Sequence, residues 1–288
     1  MSVGGRAMDQ WQVGAVRIVK VIEDQDVWLG TRLCDEMHPD NVLKEASWLV
    51  PTFANERGKI LLSFHTLVLE SAGLRILVDA CVGNDKQRSS PLYHRKHTNF
   101  LHDLAAAGYP PESIDRVICT HMHVDHVGWN TILVDGHWVP TFPNARYLFN
   151  RRELEHWRTV PAARLHIEDS VLPVVEAERV DYVEYGAAIT PEVSILGTPG
   201  HTPGHMAVRI ASGGHRALIS GDLLHHPIQC AHPEWKCKFD TDAEQGVRTR
   251  RDFLRECAEG GTLLFGSHFL TPSAGRVVRH QEAFRFAI

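Results

Sequence analysis

Between Thr120 and Gly128 the chain reads T-H-M-H-V-D-H-V-G, with three imidazoles (His121, His123, His126) and one carboxylate (Asp125) inside six positions. No other feature constrains the fold as much, because so many ligand-type side chains pack together favourably only where a cation uses them. Imidazole nitrogen suits zinc, copper, iron and nickel, and carboxylate oxygen suits harder ions. Residues at i and i+2 of an extended backbone point the same way, so His121 and His123 are able to face one ion as a pair. A turn after His123 then swings Asp125 and His126 towards a second point nearby. The spacing is that of two metals side by side.

Three further candidates follow the same grammar, each placed just after an apolar run that reads as a strand. Leu196 leads through G-T-P-G to His201, within T-P-G-H-T-P-G-H. Leu218-Ile219-Ser220-Gly221 leads to Asp222, and Leu263-Leu264-Phe265-Gly266-Ser267 leads to His268. Short loops at strand ends aim side chains into a shared cleft, and a glycine beside a ligand permits close backbone approach. His205, the second histidine of the repeat, reads as a residue that holds the loop by hydrogen bonds.

The rest of the pattern alternates strands with helices. Val13–Ile22 reads as a strand, and Ile60–Leu69 with Leu74–Asp79 brackets a turn at Ser71-Ala72-Gly73. Asn99–Ala107 reads as a short helix stopped by Gly108 and Pro110. Arg116–Cys119 is a short strand running into the histidine motif. Asp135-Gly136 is a two-residue hairpin signal between Ile132–Val134 and His137–Val139. Arg146–Phe149 reads as a strand, and Glu153–Arg158 and Ile167–Glu178 have helical spacing. Val193–Leu196, Met206–Ile210, Ala217–Ser220 and Thr262–Phe265 read as strands. Thr241–Glu259 is the longest helical stretch, capped by Asp240 or Thr241 and closed by Gly260-Gly261. Strands cluster in both halves with helices between and after them, which predicts an α/β fold: two sheets face to face with helices outside, a four-layer αββα sandwich. No linker divides the chain, so residues 1–288 read as one domain.

Composition narrows the partners. With 288 residues, 43% hydrophobic and 23% charged, the chain has ordinary globular proportions. A net charge of −5 offers no basic field, which argues against nucleic acid. The opening MSVGGRAMDQWQVGAVRIVK has no apolar signal core, and runs such as Ile60-Leu61-Leu62 are too short to span a bilayer. The expectation is a cytoplasmic protein acting on a small molecule, with no membrane and with homodimerisation open. The six cysteines form no CxxC pair and read as free thiols. Cys230 and Cys237, near His226 and His232, allow a small extra metal site.

Taken in order, HxHxDH, the histidine of TPGHTPGH, the aspartate after a strand and GSH resemble the metallo-β-lactamase-fold superfamily. The matched motifs run from Thr120 to His268. The resemblance implies the αββα sandwich with metals at the edge of its sheets. It implies that His121, His123 and His201 bind one metal, that Asp125, His126 and His268 bind the other, and that Asp222 bridges them. The implied cofactor is a pair of divalent ions. Zinc is the default for N and O ligands without redox chemistry, while iron, manganese and cobalt stay open by ligand type. Two such ions would lower the pKa of a bridging water and polarise a carbonyl or phosphoryl oxygen. Asp125 would also carry a proton to the leaving group.

The superfamily hosts many reactions, so substrate has to come from elsewhere. Flavodiiron proteins use HxExD, glyoxalase II-like thioesterases add a helical region after the last ligand, and secreted β-lactamases usually lack the bridging aspartate. None fits this pattern well. Nuclease branches want a basic surface. The expectation is a metal-dependent hydrolase of lactones or small carboxylic esters, with phosphotriester hydrolysis as the alternative, and a β-lactamase or thioesterase behind it. His225, in G-D-L-L-H-H, sits where N-acyl-homoserine lactonases resemble this chain but carry a tyrosine. A D-x-x-H run is similar to methyl-parathion-hydrolase-like members. His225 is therefore a candidate catalytic donor to the substrate oxygen. Trp28, Trp48, Phe53, Phe64 and Trp129 are candidate pocket aromatics. Trp129 stands where related H-V-G-G runs carry glycine, which predicts a narrowed cleft.

Overall fold

The computed structural model describes residues 9–288; the opening residues 1–8 of the segment read above lie outside it. The chain forms β1 (Gln10–Val13), β2 (Val16–Trp28), β3 (Ile60–Ser71), β4 (Leu74–Val78) and β5 (Arg116–Ile118). There follow β6 (Thr131–Val134), β7 (His137–Pro140), β8 (Arg146–Phe149) and β9 (Val180–Tyr182). The second half contributes β10 (Val193–Gly197), β11 (Met206–Ser212), β12 (His215–Ile219), β13 (Leu263–Phe265), β14 (Ala274–His280) and β15 (Ala283–Ala287). One sheet has the order β1-β2-β3-β4-β5-β8-β9 and the other runs β10 to β15 in sequence. β6 and β7 pair apart as a hairpin whose turn, Asp135 and Gly136, has positive φ at both positions, as Asp-Gly predicts.

Three separate apolar clusters show the layering. Between the sheets lie Ile18, Leu69, Ile76 and Ile118 of the first and Val193, Val208, Ile210 and Ile219 of the second. On the outer side of the first sheet, Val68, Val117 and Tyr147 pack under Phe100, Leu154, Ile167 and Val174 from the helices. Outside the second sheet, Leu218, Leu264 and Val277 pack under Ile228, Phe253 and Leu254. Central strands of both sheets alternate between two apolar layers, so both faces of each sheet are covered there, the αββα sandwich expected from the pattern.

The structure redraws several boundaries. Val13–Ile22 is a hairpin rather than one strand, because Gly14 turns with φ 57 and a Cβ there would lie 2.3 Å from the Ser212 carbonyl oxygen. β2 then runs on to Trp28, with a register shift between Ile22 and Asp24. Ile167–Glu178 is two helices, Arg164–Ser170 and Leu172–Glu176. Pro173 has no N–H for the Asp169 carbonyl four residues back, and the Lys86 ammonium (3.0 Å) and the Thr131 hydroxyl donate to that oxygen instead. The long helix is Ala243–Gly260, capped by Asp242, whose carboxylate accepts from Gln245 N–H at 2.9 Å, and ended by Gly261 at φ 58. The closing hairpin β14–β15 is not among the elements predicted. All six cysteines are free and buried. Among the described residues no helix is long and apolar enough to cross a membrane.

Candidate metal centre

Strand ends build the site. β5 and β13 lie beside β4 and β12 in parallel pairs, so the segments that follow them emerge at the same edge of the sandwich. His121 follows β5, His201 follows β10, Asp222 follows β12 and His268 follows β13. Two glycines make the loops possible. Gly221 has φ 53, and a Cβ there would lie 2.6 Å from His205 Nε2; Gly200 has φ 134 and sits against the backbone of Gly246.

The seven predicted side chains converge in two groups. His121, His123, His201 and Asp222 form one, and Asp125, His126 and His268 form the other. In the first, His123 Nδ1 lies 3.0 Å from His121 Nε2 and 2.9 Å from His201 Nε2. In the second, His126 Nε2 and His268 Nε2 are 3.2 Å apart, and Asp125 Oδ2 is 3.6 Å from His268. Asp222 divides its oxygens between them. Its Oδ2 is 3.7 and 3.6 Å from His121 and His201, and its Oδ1 is 3.2 and 3.1 Å from His126 and His268.

The proton bookkeeping of the imidazoles tests whether this is a cation site. His126 Nδ1 is 2.9 Å from Asp79 Oδ2, His201 Nδ1 is 2.8 Å from Asp240 Oδ1, and His268 Nδ1 is 3.1 Å from the Ser63 carbonyl. His121 Nδ1 is 3.1 Å from Thr120 Oγ1, which itself donates to Asp79. Each acceptor requires N–H at Nδ1, so in all four rings Nε2 is a bare lone pair facing inward. Four such nitrogens and two carboxylates, with Asp222 Oδ1 buried and without a donor, make a cage in which acceptors predominate. Such a cage repels itself unless a positive charge sits within it, so the residues fit divalent metal ions. The titration tendencies divide the rings, with His121 and His201 held neutral while the carboxylates favour a proton or another cation at His126 and His268. Burial holds His121 and His201 well below the ordinary imidazole range. Burial opposes charge on His126 too, but Asp222, Asp79 and Asp125 outweigh it and raise its pKa well above that range.

Three buried carboxylates outside the seven predicted residues hold the candidate ligands. Asp79 ends β4 at φ 60 and also accepts from Thr120 N–H at 2.8 Å, pinning the start of the motif. Asp240 sits 3.7 Å from the fully buried Arg250. Glu153 accepts from Met122 N–H (3.2 Å), Trp157 Nε1–H (2.7 Å) and Gly204 N–H (2.7 Å), clamping the two histidine loops together. Only Asp79 had a signal in the sequence, its place at a strand end. Partners of this kind raise ligand basicity, and losing one typically costs about 10–100-fold in metal affinity. Asp79→Asn is therefore expected to loosen the His126 group first, with a smaller effect on His121 through Thr120, and Asp240→Asn the His201 group alone. In a chelator titration each single variant should release one ion early and keep the other, and the double variant should release both. Release of both ions together from either single variant would contradict two separable groups.

His205 behaves as read from sequence: Nε2 accepts from Asp222 N–H at 3.0 Å and Nδ1 lies 2.7 Å from Thr198 Oγ1. His225 is buried, lines the cleft, and places Nε2 3.2 Å from Asp222 Oδ2 and 3.8 Å from Cys237 Sγ. The extra site at Cys230, Cys237, His226 and His232 does not form. His226 bonds the Phe53 carbonyl, His232 stacks on Trp235, Cys230 is in the core, and only Cys237 approaches the centre.

Above the candidate ligands opens a cleft with about 510 Å³ of empty space, its open mouth included, walled by Trp28, Leu33, Leu62, Phe64, Tyr93 and Phe239. Trp28 and Phe64 line it as expected, and Tyr93 is an addition. The other three aromatics do not. Phe53 packs against Phe269 and Phe286, and Trp48 donates to Glu45 under the Arg285 guanidinium. Trp129 points away from the cleft, because bonds from Gly128 N–H and Trp129 N–H to the carbonyls of Cys81 and Ala80 turn the side chain inward. There it stacks on Phe100 at 5.6 Å and donates to Glu23 at 2.6 Å.

A family model, the metallo-beta-lactamase superfamily, matches residues 65–257. The chain belongs to the metallo-beta-lactamase superfamily. An N-acyl homoserine lactonase from Bacillus sp is 30% identical over 107 residues, a match covering 37% of this chain and 37% of that relative. The chain thus matches well under half the length of this curated relative. A crystal structure of AbOPH, described as a hydrolase in the beta lactamase superfamily, superposes with a TM-score of 0.81 at 23% identity, covering 98% of this chain and 97% of the other. AidC, described as a dizinc quorum-quenching lactonase in complex with a product, also gives 0.81, at 19% identity over 97% and 96%. These two likenesses carry the fold: the sandwich extends across nearly the whole chain, beyond the span of the family match.

Proposed function

We propose that the chain is a dinuclear metal-dependent hydrolase that opens lactones or cleaves small carboxylic esters. The observation that carries this is Asp222, which offers one oxygen to each of two ligand groups beside an apolar cleft. His121, His123 and His201 would hold one ion, Asp125, His126 and His268 the other, and the N and O donors favour zinc. When bound, two such ions lower the pKa of a shared water towards neutrality and polarise the substrate oxygen. The protein's own groups do the rest. The aromatic and aliphatic wall takes an acyl or aryl group and excludes water. Asp125, which lines the cleft beside His268, carries the water's proton to the leaving oxygen. His225, on the Asp222 side, donates to the carbonyl oxygen as negative charge grows on it.

Among the described residues neither Lys nor Arg lines the cleft, which disfavours charged phosphate monoesters and nucleic acid and favours neutral substrates. Lactone hydrolysis draws support from the lactonases among its relatives and structural neighbours. A neutral phosphotriester suits the same wall and is the second reading. The test is a kcat/KM comparison of N-hexanoyl-homoserine lactone, phenyl acetate, a diethyl aryl phosphotriester and a β-lactam on zinc-loaded protein. The lactone or the ester is expected to lead by about tenfold or more, 1.4 kcal/mol in transition-state binding. A phosphotriester in the lead would install the second reading. Fewer than one metal per chain with no turnover would indicate a non-catalytic protein.

A further inference from the structure

Tyr93 reaches the cleft on a strap that the hydrolase reading does not require. Residues 84–98 fold back on themselves, with Asp85 N–H donating to the Lys96 carbonyl (3.1 Å) and Arg95 N–H to the Lys86 carbonyl (2.7 Å). The strap is fastened by charges buried deep in the fold. Lys86 is fully buried, donating to Thr131 Oγ1 at 2.6 Å and lying 3.5 Å over the Trp138 ring. Arg88 makes two bonds to the Asp169 carboxylate, at 2.6 and 2.9 Å. Lysine and arginine are seldom buried this far unless paired. Such anchoring fixes a surface segment that would otherwise be mobile, so the residue at its tip is held before substrate arrives.

At that tip the Tyr93 ring packs edge-on against Phe64, 5.8 Å between centroids. Its hydroxyl reaches one partner among the described residues, Asp125 Oδ2, at 3.5 Å. That separation is at the outer limit of a hydrogen bond, so the hydroxyl proton is free to turn to a substrate oxygen placed in the cleft beside both groups. Among the described cleft residues, Tyr93, His225 and Trp28 offer polar groups outside the seven candidate ligands, and the Trp28 indole N–H is already given to Asp26 at 3.0 Å. Tyr93 and His225 sit on opposite ligand groups: His225 contacts Asp222 and Cys237, and Tyr93 contacts Asp125. An ester also has two reacting oxygens.

Building on the esterase reading, we infer that Tyr93 is a further catalytic residue whose hydroxyl donates a hydrogen bond to the leaving oxygen beside Asp125, while His225 serves the carbonyl oxygen. In the step, the water oxygen forms a bond to the acyl carbon and the bond from that carbon to the leaving oxygen breaks. The water's proton passes through Asp125 to the leaving oxygen. Tyr93 keeps its own proton throughout and spreads the developing charge.

Tyr93→Phe keeps the ring against Phe64 and removes only the hydroxyl. The probes are phenyl acetate, whose leaving phenolate is basic and needs a donor, and 4-nitrophenyl acetate, whose leaving group needs little help. The variant is expected to keep its metal content and melting temperature and a KM within about twofold. Its kcat should fall about tenfold on phenyl acetate and less than about threefold on the nitrophenyl ester. Equal losses on both esters, or no loss on either, would overturn the role of Tyr93 while leaving the esterase reading standing. A wild-type protein inactive on both esters, with two metals bound, would overturn the esterase reading and this role with it.

Discussion

Asp222→Ala is expected to disable both metal positions at once. No other candidate ligand is shared: His201 belongs to one group and His268 to the other, whereas Asp222 offers Oδ2 to the first and Oδ1 to the second. Removing it deletes the negative charge that balances two dications. Hydrolysis should fall by about 10³-fold or more, beyond the usual loss of one preorganised contact, and metal content should drop below one ion per chain after gel filtration. The peptide N–H of residue 222 still meets His205 Nε2, so the loop keeps its anchor and circular dichroism should be unchanged. His268→Ala is the contrast, because it touches one group only and should leave close to one ion. If Asp222→Ala retained two ions, the carboxylate would not be the bridge.

The second large effect is on stability. Chelation should lower the melting temperature by about 10 °C along with abolishing turnover. A ligand at a thousand times its Kd stabilises the folded chain by about 4 kcal/mol, and for a chain of this size each kcal/mol moves the midpoint by about 2–4 °C. The crowding of acceptors enlarges the effect, since unloading the cage leaves inward imidazole nitrogens facing Asp125 and Asp222 with no metal charge between them. Re-addition of zinc should restore midpoint and activity in parallel. A chelated protein with an unchanged midpoint would mean that the cage is relieved by protons alone, as the raised pKa of His126 permits in part.

The fold was legible because its signals are local. Asp135-Gly136 marked a hairpin, Gly261 marked a helix end, and the strands Arg116–Ile118 and Leu263–Phe265 were visible as short apolar runs. The misreadings came from non-local physics. Pro173 splits a helical pattern because the carbonyl it cannot bond finds Lys86 and Thr131 instead, from segments far away in sequence. Trp129 follows the metal motif directly, yet backbone bonds to Ala80 and Cys81 send its ring into the core. Adjacency in sequence said nothing of direction.

The sequence by itself determined the candidate ligand types, their order and their spacing from strand ends, and hence a layered α/β fold with the two-metal centre proposed above. Those follow from covalent neighbours, whose side-chain directions are set by backbone geometry. Tertiary structure alone decided which nitrogen of each imidazole faces inward, because that depends on acceptors brought from elsewhere: Asp79 to His126, Asp240 to His201, and Ser63 to His268 across 205 positions. It also decided what lines the cleft, placing Tyr93 there and removing Trp129, Trp48 and Phe53. A tautomer and a pocket wall are properties of contacts between distant segments, and their energies exist only once the chain has closed.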